Sequence, residues 1–345
     1  MNSDSEIFHA FGLRQRHDLT MHLLQGGLCN ATHRIDRAGH PEFILQKIKD
    51  TFPANLTEDI FCITEHLKIK GWNVPSPIEV NGAHSILVGS DRYRLFPYIE
   101  GTEIAQIETA EQARHMGKLL ARFHQDLRSC THAPQGAILG FHDTEKIMKK
   151  LAMTASIGDT LAQEILREWR GTEGQRIPLA ETSLIHGDPR YQNFLFNGAG
   201  RPFTLIDFDT LMIGSVYTDI GDCMRSISCD SQQETPRLNP QLIDSFIEGY
   251  RSASDLGILF RQHALEATRQ ISVELAGRFA VDAYEDNYFG WDKERFRTRK
   301  DHNQLRSAAQ LGVAKKTGEF LNEKPSDRYG IRRGHRTRRN PSLDP

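Results

Sequence analysis

The residues best suited to chemistry are His186-Gly187-Asp188 with Asn193 close behind, and Asp207 and Asp209 in Ile206-Asp207-Phe208-Asp209. Between them, Phe194-Leu195-Phe196 and Phe203-Thr204-Leu205-Ile206 flank Asn197-Gly198-Ala199-Gly200, which reads as two short apolar strands around a turn. A hairpin of that kind brings Asp188, Asn193 and Asp207 to one end of a small sheet. Asp-x-x-x-x-Asn followed by an Asp at the end of the next strand suits phosphoryl transfer to a hydroxyl. A carboxylate such as Asp188 can aim an attacking hydroxyl and accept its proton. Donor phosphates need a hard cation, Mg²⁺, and Asn193 and Asp207 offer the oxygen ligands it prefers. Any one of these residues alone could cap a turn. The constellation is what points to catalysis.

The elements that must position this hairpin can be read from periodicity. Residues 22–100 read as a strand-rich lobe with one helix, because Leu56, Ile60, Ile63 and Leu67 repeat at helical spacing. Phe43–Ile48, Ser85–Gly89 and Tyr93–Tyr98 read as strands. Gly26-Gly27-Leu28-Cys29-Asn30 precedes them and is the candidate phosphate-covering loop, although it matches neither Gly-x-Gly-x-x-Gly nor a Walker motif. Phe96-Pro97-Tyr98 begins the crossover between lobes, where backbone groups would meet an adenine edge. From Thr109, a reasonable N-cap, the pattern turns helical, with further helices at 240–251, 261–284 and 301–316. His124 beside an apolar face reads as a core or boundary histidine, and Asp219 and Asp222 in Asp-Ile-Gly-Asp read as helix caps.

His-Gly-Asp-x-x-x-x-Asn resembles the aminoglycoside phosphotransferase and choline kinase superfamily. Within it, the chain is most similar to the N-acetylhexosamine 1-kinase branch. That likeness rests on Phe43-Ile44-Leu45-Gln46-Lys47-Ile48 before Ile63-Thr64-Glu65-His66-Leu67, on residues 206–222, and on Glu274-Leu275-Ala276-Gly277-Arg278-Phe279 before Tyr284, Tyr288 and Phe289. The resemblance implies an α+β, bilobal, protein-kinase-like fold. It divides into a nucleotide-binding lobe over 1–98, a catalytic and substrate lobe over 99–322, and a basic tail over 323–345. It also implies ATP as donor, Asp188 as the catalytic residue, Asn193 and Asp207 as metal ligands, and Arg278 near the acceptor. Asn30, with Thr32 and His33, could also reach a sugar. Gly26, Gly27, Phe96 and Tyr98 are candidate nucleotide contacts. The strand cation is open: Gln46 stands where many relatives have Lys or Arg, Lys47 follows, and neighbouring strand residues face opposite sides. Its carboxylate partner is equally open among Glu58, Asp59 and Glu65.

Composition narrows the classes. The chain has 345 residues, 38% hydrophobic and 26% charged, ordinary for a soluble globular protein. Residues 323–345 hold seven Lys/Arg against three acids, so the tail carries +4 while the rest carries −6. An acidic body argues against a nucleic-acid substrate. Five scattered cysteines, no apolar N-terminal run and no stretch of ~20 apolar residues fit a cytoplasmic protein without a membrane span.

The expectation is therefore an ATP-dependent kinase of a small-molecule hydroxyl, most naturally the anomeric hydroxyl of an N-acetylhexosamine. A second reading keeps the fold but changes the acceptor to an aminoglycoside, choline-like amine or amino alcohol, held by acids such as Glu274, Asp282, Glu285 and Asp286. A third is a nucleotide-binding pseudokinase, supported only by the non-standard glycine loop and the displaced strand lysine. The sequence leaves oligomeric state open.

Overall fold

The computed structural model describes residues 4–13, 18–24, 30–172, 177 and 182–322. After a short helix, α1 (Asp4–Ala10), five antiparallel strands form the first lobe: β1 (Leu19–Leu23), β2 (Ala31–Arg37), β3 (His40–Ile48), β4 (Ile86–Val88) and β5 (Asp91–Pro97), in the order β1-β2-β3-β5-β4. Alternation along β3 and β5 buries Leu45, Tyr93 and Leu95 against Ile35 and Val88, and Ile7 and Phe11 at the N-terminus close that core. Helix α2 (Leu56–Ile69) lies between β3 and β4, and Leu56, Ile60, Ile63 and Leu67 point into the core of the second lobe. One helix thus ties the two lobes together.

β5 ends at Pro97, and the crossover then pairs with the second lobe. Thr102 exchanges two backbone hydrogen bonds with Phe196, both 2.9 Å. Gly101 is required here, since a Cβ would lie 2.9 Å from Leu195 Cβ and 3.2 Å from the Phe203 ring. The second lobe opens with α3 (Ala110–Leu127), which Thr109 starts through a capping box with Gln112. Next come α4 (Thr144–Thr154), α5 (Thr160–Arg170), β6 (Thr182–Ile185) and the hairpin β7 (Phe194–Phe196) and β8 (Pro202–Leu205), followed by β9 (Met212–Ser215). β9 returns to pair with β6. Helices α6 (Val216–Ile227), α7 (Pro240–Arg251), α8 (Phe260–Glu285) and α9 (Arg299–Asn322) complete an α+β, two-lobed architecture. α8 is buried around most of its length, which accounts for its lack of a one-sided apolar stripe.

Among the described residues, no helix is long and apolar enough to cross a membrane, and Cys62, Cys130, Cys223 and Cys229 are free thiols.

Candidate active site

The cleft between the lobes is lined by Gln46 and Thr32 from the sheet, Asp188, Asp207 and Asp209 from the loops flanking the β7–β8 hairpin, and Asp222 and Arg278 from helices α6 and α8. The His186–Asp188 turn is held from several sides. Asp219 of α6 accepts from the backbone N–H groups of His186 and Gly187, both at 2.8 Å. It also bonds His124 Nε2 at 2.9 Å, whose other nitrogen meets the Tyr250 hydroxyl at 2.7 Å. His124 is buried as its sequence context predicts, but through Asp219 it braces the His186–Asp188 turn rather than merely filling the core. Asp219 does not cap its helix. Ser215 does that, and Asp219 sits inside the helix as the anchor of the loop.

His186 lies fully buried, and burial holds its pKa below the ordinary value. Its Nδ1 accepts from Asp188 N at 3.3 Å and its Nε2 lies 3.0 Å from the Ile206 carbonyl. A neutral ring protonated on Nε2 satisfies both contacts. Gly187 has φ +85°, and a Cβ there would overlap the Thr210 carbonyl oxygen. The turn therefore takes glycine where protein kinases place arginine.

Asp188 and Asp207 share one end of the hairpin. Asn193 Nδ2 donates to the Asp188 carbonyl at 2.8 Å, which leaves Asn193 Oδ1 without a protein partner among the described residues. Asp207 adopts a left-handed conformation (φ 64°, ψ 65°), roughly 1–3 kcal/mol above an ordinary one for a residue other than glycine. Its carboxylate has no hydrogen-bond or ion-pair partner among the described residues. Although Asp207 opens onto the cleft, desolvation by the surrounding walls, with Asp209 and Asp188 nearby, pushes its carboxyl up to about 7. Burial likewise pushes Asp188 up to about 6, opposed by Arg190, whose Nε lies 3.2 Å away.

These oxygens fit a divalent cation. An unpartnered carboxylate, a free amide oxygen and mutual carboxylate repulsion are relieved by positive charge. Mg²⁺ needs few protein ligands when phosphates supply the others. Among the described residues, no group of three His, Cys, Asp or Glu side chains is arranged as an all-protein metal site.

The sheet side resolves what the alternation along β3 left open. Gln46 faces the cleft, whereas Lys47 Nζ lies 2.7 Å from Asp91 on the opposite face. Lys47 is thus directed away from the cleft. The helix acids are also engaged elsewhere: Glu58 with His84, Asp59 with His132 and the backbone of Gln135 and Gly136, and Glu65 with Lys68 and Ser76. Asn30 lines the cleft, but both ends of its amide are occupied. Nδ2 donates to Asp209 at 2.6 Å and Oδ1 accepts from Lys49 N at 3.1 Å. Phe96 is buried in the main core and Tyr98 N donates to Glu42 O, so both lie at the crossover. Gly26, Gly27 and the basic tail lie outside the described residues.

The end of the cleft around Arg278 departs from one expectation, the reading of Asp222 as a helix cap. Glu274 and Arg278 share a helix but not an ion pair. Glu274 is buried, 2.9 Å from His142 Nδ1 and 2.6 Å from the Thr144 hydroxyl. Arg278 instead lies among the rings of Phe141, Tyr288 and Phe289, its guanidinium carbon 4.7, 5.5 and 5.7 Å from their centroids. Asp222, read as a cap, borders the cleft. Burial opposes its charge, but Arg225 Nε at 2.8 Å holds its carboxyl below the ordinary range, and its buried Oδ2 has no hydrogen-bond partner among the described residues.

His142 also lines the cleft, and no sequence motif signals it. Its Nε2 lies 2.6 Å from the Gly187 carbonyl, linking α8 through Glu274 to the His186–Asp188 turn. Burial works against its charge, yet Glu274 and the Gly187 carbonyl hold its pKa up to about 9. A raised pKa means this contribution to stability is complete below the unfolded value, about 6.5, and is lost as pH rises through 9. Between pH 6.5 and 9, the melting temperature of the native protein is therefore expected to fall more steeply than that of His142→Phe. Parallel slopes in a thermal melt across that range would remove His142 as the titrating link.

A model of the phosphotransferase enzyme family (APH) matches residues 20–256. Among solved structures, the chain is similar to a microcompartment-associated aminopropanol kinase, with TM-score 0.65, 16% identity, and coverage of 92% of this chain and 99% of that one. It is also similar to spectinomycin phosphotransferase in complex with ADP and spectinomycin (TM-score 0.61, 14% identity, 91% and 97% covered). A third is the amicoumacin kinase hAmiN in complex with AMP-PNP, Ca²⁺ and Ami (TM-score 0.62, 14% identity, 86% and 88% covered). At these identities the likeness speaks to the fold, which is the protein-kinase-like one.

Proposed function

This chain belongs to the phosphotransferase enzyme family and is a small-molecule kinase, and from that premise we propose that it transfers a phosphoryl group from Mg·ATP to a hydroxyl of a neutral sugar. In this reading Asp188 orients the acceptor hydroxyl and takes its proton. Asp207 and Asn193 hold the metal ion, which would neutralise charge on the donor phosphates.

The observation that carries the acceptor class is the state of the charges around Arg278. The four acids that the sequence offered for a cationic acceptor are already engaged. Glu274 holds His142 and Thr144. Asp282 caps the backbone of Asn287, Tyr288 and Phe289 and binds Asn303. Glu285 pairs with Lys150 and Asp286 with Arg299. Arg278 has no carboxylate partner among the described residues. Its donors and the unpartnered Asp222 Oδ2 suit the hydroxyls of a sugar, and Phe141, Tyr288 and Phe289 suit its apolar face or an acetamido methyl. Asp222 is the feature that would favour an amine, but Arg225 offsets its charge. The choice of an N-acetylhexosamine and of its anomeric hydroxyl follows the resemblance of residues 43–67 and 206–289 to that kinase branch.

Two measurements test this reading. The KM for a neutral sugar should stay flat as salt rises, whereas electrostatic capture of a cation would weaken. Arg278→Met should raise the acceptor KM about 10–100-fold, as expected for lost hydrogen bonds from a charged group, with the ATP KM near the native value. A salt-sensitive acceptor KM, or an Arg278→Met variant with an unaltered one, would overturn the neutral-sugar pocket.

A further inference from the structure

Arg94 belongs to no motif, yet it is a buried cation beside the nucleotide side of the cleft, 1% exposed on β5. The antiparallel register sets it directly opposite Gln46 of β3, the position where a strand lysine would stand. Its Nε donates to Gln46 Oε1 at 2.9 Å, and its Nη2 pairs with Asp209 Oδ1. Its Nη1 is buried with no hydrogen-bond partner among the described residues. Both residues that hold Arg94, Gln46 and Asp209, line the cleft. The guanidinium also lies over the Phe96 ring, 5.2 Å from its centroid, at the start of the crossover. Lys47 is turned to Asp91, and among the described residues none of the α2 acids pairs with a strand cation.

We propose that Arg94 is the cation that binds the nucleotide phosphates, supplied from β5 in place of a β3 lysine, with Asp209 as the carboxylate that positions it. An unsatisfied donor on a buried cation is unfavourable, and a phosphate oxygen satisfies it with a charge-assisted bond. Gln46 at the lysine position then has a structural reason. A second cation there would crowd Arg94, whereas the Gln46 amide accepts from Arg94 and lies 3.4 Å from the Thr32 hydroxyl. Asp209, from the second lobe, is also held by Asn30 of the first, so two contacts fix it against the sheet that carries Arg94. The inference rests on the ATP-kinase reading above.

The test is calorimetric binding of Mg·ATP and of adenosine to the full-length protein and its variants, with thermal melts in parallel. Arg94→Gln is expected to weaken Mg·ATP about 10–100-fold, the range for a lost charge-assisted bond, while adenosine affinity stays at the native value. Arg94→Lys, which keeps the charge but loses the fork, should show an intermediate loss confined to ATP and serves if Arg94→Gln fails to fold. Moving the cation in Gln46→Lys/Arg94→Gln should recover ATP affinity. Equal loss for ATP and adenosine would make Arg94 a structural residue, and unaltered ATP affinity in Arg94→Gln and Arg94→Lys would also overturn the assignment. Failure of the native protein to bind Mg·ATP would instead overturn the donor reading, so the two failures are distinguishable.

Discussion

Asp188→Asn is expected to lower turnover by about 10²–10⁴-fold, the usual contribution of a positioned general base, while nucleotide affinity stays close to native. The substitution keeps the shape and removes the proton acceptor. The supports of the loop are backbone contacts that it leaves in place: Asp188 N to His186 Nδ1, Asn193 Nδ2 to the Asp188 carbonyl, and Asp219 to the two preceding amides. Among the described residues, the Arg190 contact to Asp188 Oδ1 is the ion pair that loses its charge. Steady-state kinetics with calorimetric nucleotide binding separates the two effects. Turnover within a few-fold of native would take Asp188 out of the mechanism.

Gly187→Ala is expected to destabilise the protein by about 2–5 kcal/mol and to abolish most activity. A non-glycine residue at φ +85° carries about 1–2 kcal/mol of backbone strain. The added Cβ must also displace the Thr210 carbonyl, an overpacking cost of typically 1–3 kcal/mol. Relief by moving the loop would shift Asp188 and break the Gly187 carbonyl contact to His142. A lowered melting temperature together with lost turnover is the expected result. A variant with native stability and native turnover would show that the close approach to Thr210 does not constrain the loop.

The parts of this molecule legible in the sequence are those set by local pattern. Leu56, Ile60, Ile63 and Leu67 repeat at helical spacing and fall on α2, and the periodicity over 240–251, 261–284 and 301–316 falls on α7, α8 and α9. The apolar runs around Asn197–Gly200 form β7 and β8. Features that depend on long-range pairing were not legible. β6 and β9 meet across the whole hairpin, so neither short strand could be recognised alone. Arg94 matters because of its register against Gln46, a relation between strands separated by helix α2. His142 acts through Glu274, 132 residues away. Asp219 and Asp222 looked like caps because helix α6 was expected to begin near them, whereas Ser215 starts it earlier and places both acids inside. Alternation alone could not choose between Gln46 and Lys47, since it says only that they face opposite sides.

The most direct test of the account is phosphoryl transfer from Mg·ATP to a panel of N-acetylglucosamine, N-acetylgalactosamine, glucose, galactose, choline, aminopropanol and kanamycin, with the phosphorylated position read by phosphorus NMR. The account predicts an anomeric phosphate on an N-acetylhexosamine and no transfer to the amines. Transfer to choline, aminopropanol or kanamycin with none to the sugars would contradict it.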